Sequence, residues 1–523
     1  MTTTTDAGGK LPRQIGYIIG NEGCERFGFY GMRNILVPFL IGSVLLAYLP
    51  ETMRAGAAKD VFHTFVIGVY FFPLLGGWLS DRFFGKYHTT LWLSLVYCLG
   101  YICLAFFVHD RIGFYSGMFL IALGSGGIKP LVSSFVGDQF DSTNKHLAKI
   151  VYDAFYWIIN LGSFFASLLM PIFLRAYGPA IAFGIPGALM LVATLIFWAG
   201  RHKYVNVPPA PPDPHSFLRV VRTALFAPGP DRHGIVVFAL GGALALAALA
   251  WLVRDDFVIA VLLALGLLAG FGGVGAALQL DRARAWHPAQ AVEGVRVVLR
   301  ILIVFALVTP FWSLFDQKAS TWVIQGGAMT MPHDVWWWPG WLVKAPAQMQ
   351  ALNPLLVMLL IPFNNLVLFP ALRRMGVAVT SLRRMGAGIA FAGLAWVVAG
   401  ILQLAIDGGD AISLAWQIAP YVLLTLGEVL VSATGLEFAY SQAPASMKGA
   451  IMSFWALSVS YGNLWVLITN AAVRNEAVTM HIAATGLSEN AFLMFFFAAF
   501  ALAIALVFAI YARRYPMQDN YRA

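Results

Sequence analysis

The sequence predicts an all-α polytopic membrane protein, and three observations carry that reading. Of 523 residues, 59% are hydrophobic and 11% are charged, against about 25% charged in an ordinary soluble domain. So few charges cannot build a water-facing surface. Apolar runs of about 20 residues follow one another along the chain, and at about 1.5 Å rise per residue each is long enough for a hydrocarbon core about 30 Å thick. The runs lack the short alternation of barrel strands, and an open sheet would leave backbone groups unpaired in lipid, so helices are the spanning structure.

Charged or Pro/Gly breaks delimit six spans at 15–49, 61–80, 88–108, 113–137, 149–174 and 179–200. They make residues 1–200 a first six-helix bundle. Residues 201–233 read as a cytoplasmic linker, because the stretch from Val207 to His215 holds Pro208, Pro209, Pro211, Pro212 and Pro214, too many to continue a helix. Residues 234–280 read as an inserted two-helix hairpin facing lipid, with spans at 234–253 and 257–279 and the turn Arg254-Asp255-Asp256. Residues 281–523 form a second six-helix bundle, with spans at 295–329, 350–371, 380–406, 411–441, 447–473 and 488–512. The expected total is fourteen transmembrane helices, six plus two plus six.

The net charge of +9 does not point to nucleic acid, because the basic residues are scattered in short loops and form no aromatic-interleaved stripe. Most lie on the side of the N-terminus, which places both termini in the cytoplasm. The first fifteen residues are polar, so no removable signal peptide is expected. Trp336, Trp337, Trp338 and Trp341 fall at the outer boundary, where indole rings settle. Cys24, Cys98 and Cys103 show no metal-ligand spacing and are assigned to packing.

An ionisable side chain at the centre of a spanning helix costs roughly 2.5–3.5 kcal/mol on insertion scales, so such residues face a cavity or one another. Glu22, Glu25, Arg26 and Arg33 share one face of the first span, with Tyr30 among them. Two carboxylates beside an arginine link protonation to helix pairing, since proton uptake by a glutamate frees the arginine. The competing reading is a solvated helix end. Lys129, Asp316, Lys318, Glu428, Glu437 and the pair His63 and Tyr70 lie in other spans of both halves. A zwitterion suits this polarity: Arg33 and Lys129 for its carboxylate, Glu428 for its ammonium. The bland alternative is mutual neutralisation as buried salt bridges. Trp312, Phe315, Phe454, Trp455 and Tyr440 either line a pocket or pack between helices. Two six-helix halves on a linker match transporters that rock about a midplane site.

The loop Gly76-Gly77-Trp78-Leu79-Ser80-Asp81-Arg82-Phe83-Phe84-Gly85-Lys86 resembles the signature loop of the major facilitator superfamily, where a carboxylate–arginine pair latches neighbouring helices. Arg373-Arg374-Met375-Gly376 and Arg383-Arg384-Met385-Gly386 echo it in the second half. Four further segments resemble motifs of the proton-dependent oligopeptide transporter family of that superfamily, in its bacterial form. They are Glu22-Gly23-Cys24-Glu25-Arg26-Phe27-Gly28-Phe29-Tyr30-Gly31, Phe155-Tyr156-Trp157-Ile158-Ile159-Asn160-Leu161-Gly162-Ser163, Phe311-Trp312-Ser313-Leu314-Phe315-Asp316-Gln317, and Gly435-Leu436-Glu437-Phe438-Ala439-Tyr440-Ser441-Gln442-Ala443-Pro444.

That resemblance implies a major facilitator fold and a proton-coupled symporter importing di- and tripeptides across the bacterial inner membrane by alternating access. It implies a monomer in membrane lipid, with no cofactor beyond protons and no metal. It assigns Glu22, Glu25, Arg26 and Asp316 to proton coupling. Tyr30, Arg33, Tyr70, Lys129, Tyr152, Asn160, Trp312, Asn353, Glu428, Ser432, Phe454 and Trp455 fall to substrate binding. It gives gating to His63, Arg33, Asp316, Lys129 and Glu428, with Arg33 and His63 as partners of Asp316. Two departures stand out: Phe29 replaces a tyrosine, and Lys318-Ala319 stands where Gln-Gly is common. A transporter of the same fold for nitrate or another anion, and a membrane receptor without transport, are the other readings. No nucleophile–base set suggests an enzyme.

Overall fold

The computed structural model describes residues 11–516 except 142, 143, 145, 146, 210, 212, 230, 231, 333, 334 and 443–446. Ala443 and Pro444 of the last motif, and the side chain of Tyr440, lie outside the described residues. The chain is helical throughout, and among the described residues the only sheet-like pairing is an isolated bridge between Thr330 and Ser413.

α1 spans Ile15–Gly42, α2 Glu51–Phe71 and α3 Pro73–Leu79. A π-turn at Ser80–Phe84 and Gly85, at φ 71°, reverse the chain into α4, Gly85–Phe106. α2 starts ten residues before the expected 61, because a helix continues past the apolar run wherever its end reaches polar surroundings. α5 spans Arg111–Gly137, and α6 runs over Ala148–Ala199 as two helices meeting at Gly178, whose φ of 78° turns the chain back ahead of Pro179.

The linker departs from expectation. Its prolines stop at Pro214, and the next residues form an amphipathic helix, α7, Phe217–Phe226. Phe217, Val220, Ala224 and Leu225 share its buried face, the spacing of a helix laid on an apolar surface. His215 Nδ1 lies 2.9 Å from His287 Nδ1, and His287 Nε2 lies 2.9 Å from Thr223 Oγ1. These contacts tie α7 to the start of the second half.

The hairpin is α8, His233–Leu252, and α9, Phe257–Leu278. Asp256 caps α9 by accepting from the backbone N–H groups of Val258 and Ile259, each at 3.1 Å. The second half follows as α10 (Ala289–Asp316), α11 (Thr321–Gly327), α12 (Leu352–Phe363), α13 (Phe369–Arg374), α14 (Ser381–Asp407), α15 (Ile418–Glu428), α16 (Thr434–Gln442), α17 (Lys448–Ala472), α18 (Glu476–Ala484) and α19 (Glu489–Arg514). A 3-10 turn, Gln317–Ala319, separates α10 from α11, and a π-turn, Val429–Ala433, follows Glu428. Such interruptions concentrate where a helix serves a site.

Eleven helical runs among the described residues are long and apolar enough to cross a bilayer. Two of them, Glu51–Phe106 and Ile150–Ala199, are 56 and 50 residues long, each about twice what one crossing needs. α1 is not one of the eleven; it holds Glu22, Glu25, Arg26 and Arg33. One large apolar cluster is drawn from residues 15–204 with Ala319, and a second from residues 217–515. A smaller cluster of Ile67, Ile259, Leu262, Leu464 and Leu467 seats the hairpin against α2 and α17.

Candidate functional site

The helical spacing read from the first span holds: Glu22, Glu25, Arg26 and Arg33 are all buried. Arg26 Nε donates to Glu22 Oε1 at 2.5 Å and lies 3.3 Å from Glu25 Oε2. Glu25 is also held from α4, where the Tyr97 hydroxyl donates to Oε1 at 3.3 Å and lies 3.3 Å from the Tyr101 hydroxyl. A solvated helix end does not have this burial. Lys129 of α5 sets its ammonium 3.2 Å from the centre of the Phe29 ring and 5.4 Å from that of Tyr70, a cation–π arrangement. Phe29, the departure from the family motif, thus seats Lys129.

A second cluster joins the two halves. Arg33 and Asp316 form an ion pair, both buried. Asn463 of α17 donates from Nδ2 to Asp316 Oδ2 at 2.7 Å, and its Oδ1 accepts from His63 Nδ1 at 2.6 Å. His63 Nε2 lies 2.9 Å from Ser320 Oγ. Of the two partners expected for Asp316, Arg33 is direct; His63 is linked to it through Asn463, because α17 packs between α2 and α10. Gly462 permits that packing, since a Cβ there would stand 2.4 Å from Trp312 Cβ.

The third cluster belongs to the second half. Asn353 of α12 donates from Nδ2 to Glu428 Oε2 at 2.5 Å and to Thr425 Oγ1 at 3.1 Å. Ser432 donates its hydroxyl back to the Glu428 carbonyl at 3.0 Å. Lys318 is buried with its ammonium 3.0 Å from the Phe315 ring centre.

Other expected residues scatter. Tyr30 and Tyr70 are half-buried on α1 and α2, and Asn160 of α6 is buried, donating to the Tyr156 carbonyl of its own helix at 3.0 Å. Tyr152 is exposed and donates to the Ser133 carbonyl at 3.3 Å. Trp312 and Trp455 pack edge to face at 5.8 Å. The Phe454 ring meets Phe217 of α7 edge to face at 5.6 Å, which seats the linker helix. Glu437, its side chain 59% exposed, stands 3.7 Å from Arg384. In the signature loop, Lys86 pairs with Asp138 at 2.7 Å, whereas Asp81 and Arg82 are exposed.

Asn463, Ser320 and Tyr97 were missed. For Asn463 a signal existed: Ser460, Asn463 and Asn470 lie three and seven residues apart in an otherwise apolar helix.

Several side-chain bonds join residues 15–200 to residues 281–516 at one end. Besides those above, Ser460 donates to the Ile67 carbonyl at 3.1 Å, Asn470 to Asp60 at 2.9 Å, and Arg474 pairs with Asp60. Arg175 donates to the Lys344 carbonyl at 2.6 Å, Gln348 to that of Leu168 at 2.8 Å, and Gln350 to that of Asn34 at 3.4 Å. This is the end where α1 finishes and α2 begins.

The model of the POT family matches residues 87–485. Two solved structures resemble the chain along nearly its whole length. One, of the POT family transporter PepTSo, is 62% identical with a TM-score of 0.94, covering 98% of this chain and 100% of that one. The other, of an auto inhibited POT family peptide transporter, is 62% identical with a TM-score of 0.93, covering 98% and 99%. Peptide transporter family 1 of Drosophila melanogaster is 34% identical over 412 residues, covering 76% of this chain and 48% of that protein. The chain spans about half the length of the curated relatives it matches. A family match over three quarters of the sequence, together with helices that superpose on those of POT structures, places this chain in the POT family.

Proposed function

We propose that the chain is a proton-coupled symporter importing di- and tripeptides by alternating access across the cytoplasmic membrane of a bacterium. The observation that carries this reading is the ion pair between Arg33 and Asp316, a base from the first half and an acid from the second, buried together at the seam. Such a pair requires an ionised carboxylate. Protonating Asp316 removes its charge, leaves Arg33 without a counter-ion, and strips the seam of its strongest tie, since losing one partner of a buried pair costs about 3–5 kcal/mol. The freed Arg33 then takes the carboxylate of an entering peptide. Peptide binding and proton binding are thereby linked through one arginine.

The remaining clusters take complementary roles. Glu428, oriented by Asn353, receives the peptide ammonium, and Asn160 of the first half assists at the same end of the peptide. Lys129 adds positive charge for the carboxylate, and Tyr30 and Tyr70 flank the backbone. Glu22, Glu25 and Arg26 form the relay through which the proton leaves, and Trp312, Trp455 and Ser432 shape the side-chain pockets. A pure anion has no use for the carboxylate at Glu428, which is why peptide is favoured over nitrate.

The architecture we assign is residues 1–200 and 281–523 as two six-helix bundles, 201–233 as linker and 234–280 as hairpin, with fourteen crossings. Each of the two longest runs supplies two crossings and α1 one more. The protein works as a monomer, with both chain ends in the cytoplasm, as the basic loops favour. In that orientation the bonds from Asp60, His63 and Arg175 lie at the outer end of the seam. The test is uptake into liposomes: acidifying the outside should drive accumulation of a dipeptide, with no accumulation of nitrate. Nitrate uptake, or peptide uptake indifferent to the proton gradient, overturns the reading.

A further inference from the structure

Between the hairpin and α17 runs an apolar groove of about 420 Å3, walled on one side by Leu263, Gly266, Gly270 and Val274 of α9 and on the other by Tyr461 and Trp465. Both hydrogen-bonding groups in these walls are turned into the protein. The Tyr461 hydroxyl donates to the Leu262 carbonyl at 3.1 Å, and Trp465 Nε1 donates to Thr309 Oγ1 at 3.0 Å. The remaining lining residues are aliphatic, phenylalanine or glycine. The groove therefore offers carbon and no polar partner, and it lies within the membrane-spanning lengths of α9 and α17.

Shape decides what fits. From Leu263 to Val274 the groove follows α9 for eleven residues, about 16 Å at the helical rise. Its mean cross-section is then about 25 Å2, against about 95 Å2 for a helix 10–12 Å across with its side chains. One turn of such a helix fills about 500 Å3, more than the groove, so a helix of a second copy would enter it only by its side chains. A single hydrocarbon chain lies along its whole length. Val274 stands four residues, about 6 Å, from the end of α9 at Leu278, so a chain anchored at the membrane surface reaches the groove. A Cβ at Gly266 would lie 3.0 Å from the Tyr461 ring, whereas one at Gly270 meets nothing within 4 Å. Gly266 thus sets how closely α9 approaches α17, and Gly270 leaves the slot open.

We propose that this groove is a binding site for one acyl chain of a bilayer phospholipid, which fills the space between the hairpin and α17. The same hairpin reaches Ile67 of α2 across the seam between the halves, so the lipid fastens to α17 a strap that lies over the moving boundary. The inference goes beyond peptide transport and does not depend on the substrate.

The full chain is reconstituted in vesicles of phosphatidylethanolamine and phosphatidylglycerol carrying a photoreactive group midway along one acyl chain, and labelled peptides are mapped after illumination. Label concentrated on 263–274 and 461–468, above that on the exposed lipid face of α19 at Leu506 and Val507, is the expected result. Gly270→Leu fills the slot without meeting protein atoms and should lower that label about ten-fold, the effect of excluding two methylenes. Gly242→Leu on α8, where a Cβ also meets nothing within 4 Å, should leave it unchanged, and equal thermal unfolding of both variants shows that the fold is intact. Labelling equal to that of α19, labelling indifferent to Gly270→Leu, or cross-links to a second copy of the chain overturns the proposal.

Discussion

Asn463 holds Asp316 and His63 at once, donating to the carboxylate across 2.7 Å while its carbonyl oxygen accepts from the imidazole at 2.6 Å. Among the described residues it is the side chain that joins the α2 histidine to the α10 acid. Asn463→Leu leaves both groups buried without that partner, at about 1–3 kcal/mol each. Gradient-driven peptide uptake in liposomes should fall about ten-fold or more. A loss no greater than that of Thr469→Leu, whose hydroxyl donates to carbonyls of its own helix, would reduce Asn463 to helix packing.

Glu25 is held by Arg26 and Tyr97 away from the Arg33–Asp316 pair. In Glu25→Gln the proton site is gone but the peptide site stands, so uptake driven by a proton gradient should stop while exchange of peptide across the membrane continues. Equal loss of both would remove Glu25 from the coupling path.

Asn353 orients Glu428 by a 2.5 Å hydrogen bond to its carboxylate. Glu428→Gln should weaken competition by dipeptides with a free amino terminus by about ten- to a hundred-fold, the worth of a hydrogen bond to a charged group. N-acetylated dipeptides should compete equally against both proteins, and a uniform loss would make the glutamate structural.

Phe454 packs on Phe217 at 5.6 Å. Phe454→Ala should loosen α7 by about 0.5–1.5 kcal/mol, the worth of an edge-to-face aromatic pair, read as faster hydrogen exchange over residues 217–226. Preference among peptide side chains should not move, and a shift in it would return Phe454 to the pocket.

Burial, then the neighbouring His215, push the His287 imidazole below its ordinary value. The docked state therefore binds a proton less readily than the released one, and docking is favoured above the usual imidazole range near pH 6.5. As pH falls below that range, α7 should exchange its amide hydrogens faster. His287→Gln should abolish this dependence; an unchanged pH profile would place the titration elsewhere.

The polar residues of α1 were legible because their helical spacing inside an apolar run has few structural explanations. Glu428 and Asp316 were legible on the same ground. The contact of Phe454 with Phe217 was not legible, because an aromatic ring at helical spacing looks alike whether it faces a cavity or a neighbouring helix. The α7 helix was hidden by the prolines before it, which end a helix locally but say nothing of the ten residues that follow.

From the order of residues alone came the membrane class, the helical spans and the inventory of buried acids and bases, since hydrophobicity and helical period are local properties that need no knowledge of neighbours. Only the folded chain decided which of those charges meet. Arg33 and Asp316 are 283 residues apart, and Asn463 stands 400 from His63; contacts across such separations depend on how helices pack, and packing is set by the whole assembly of side chains at once.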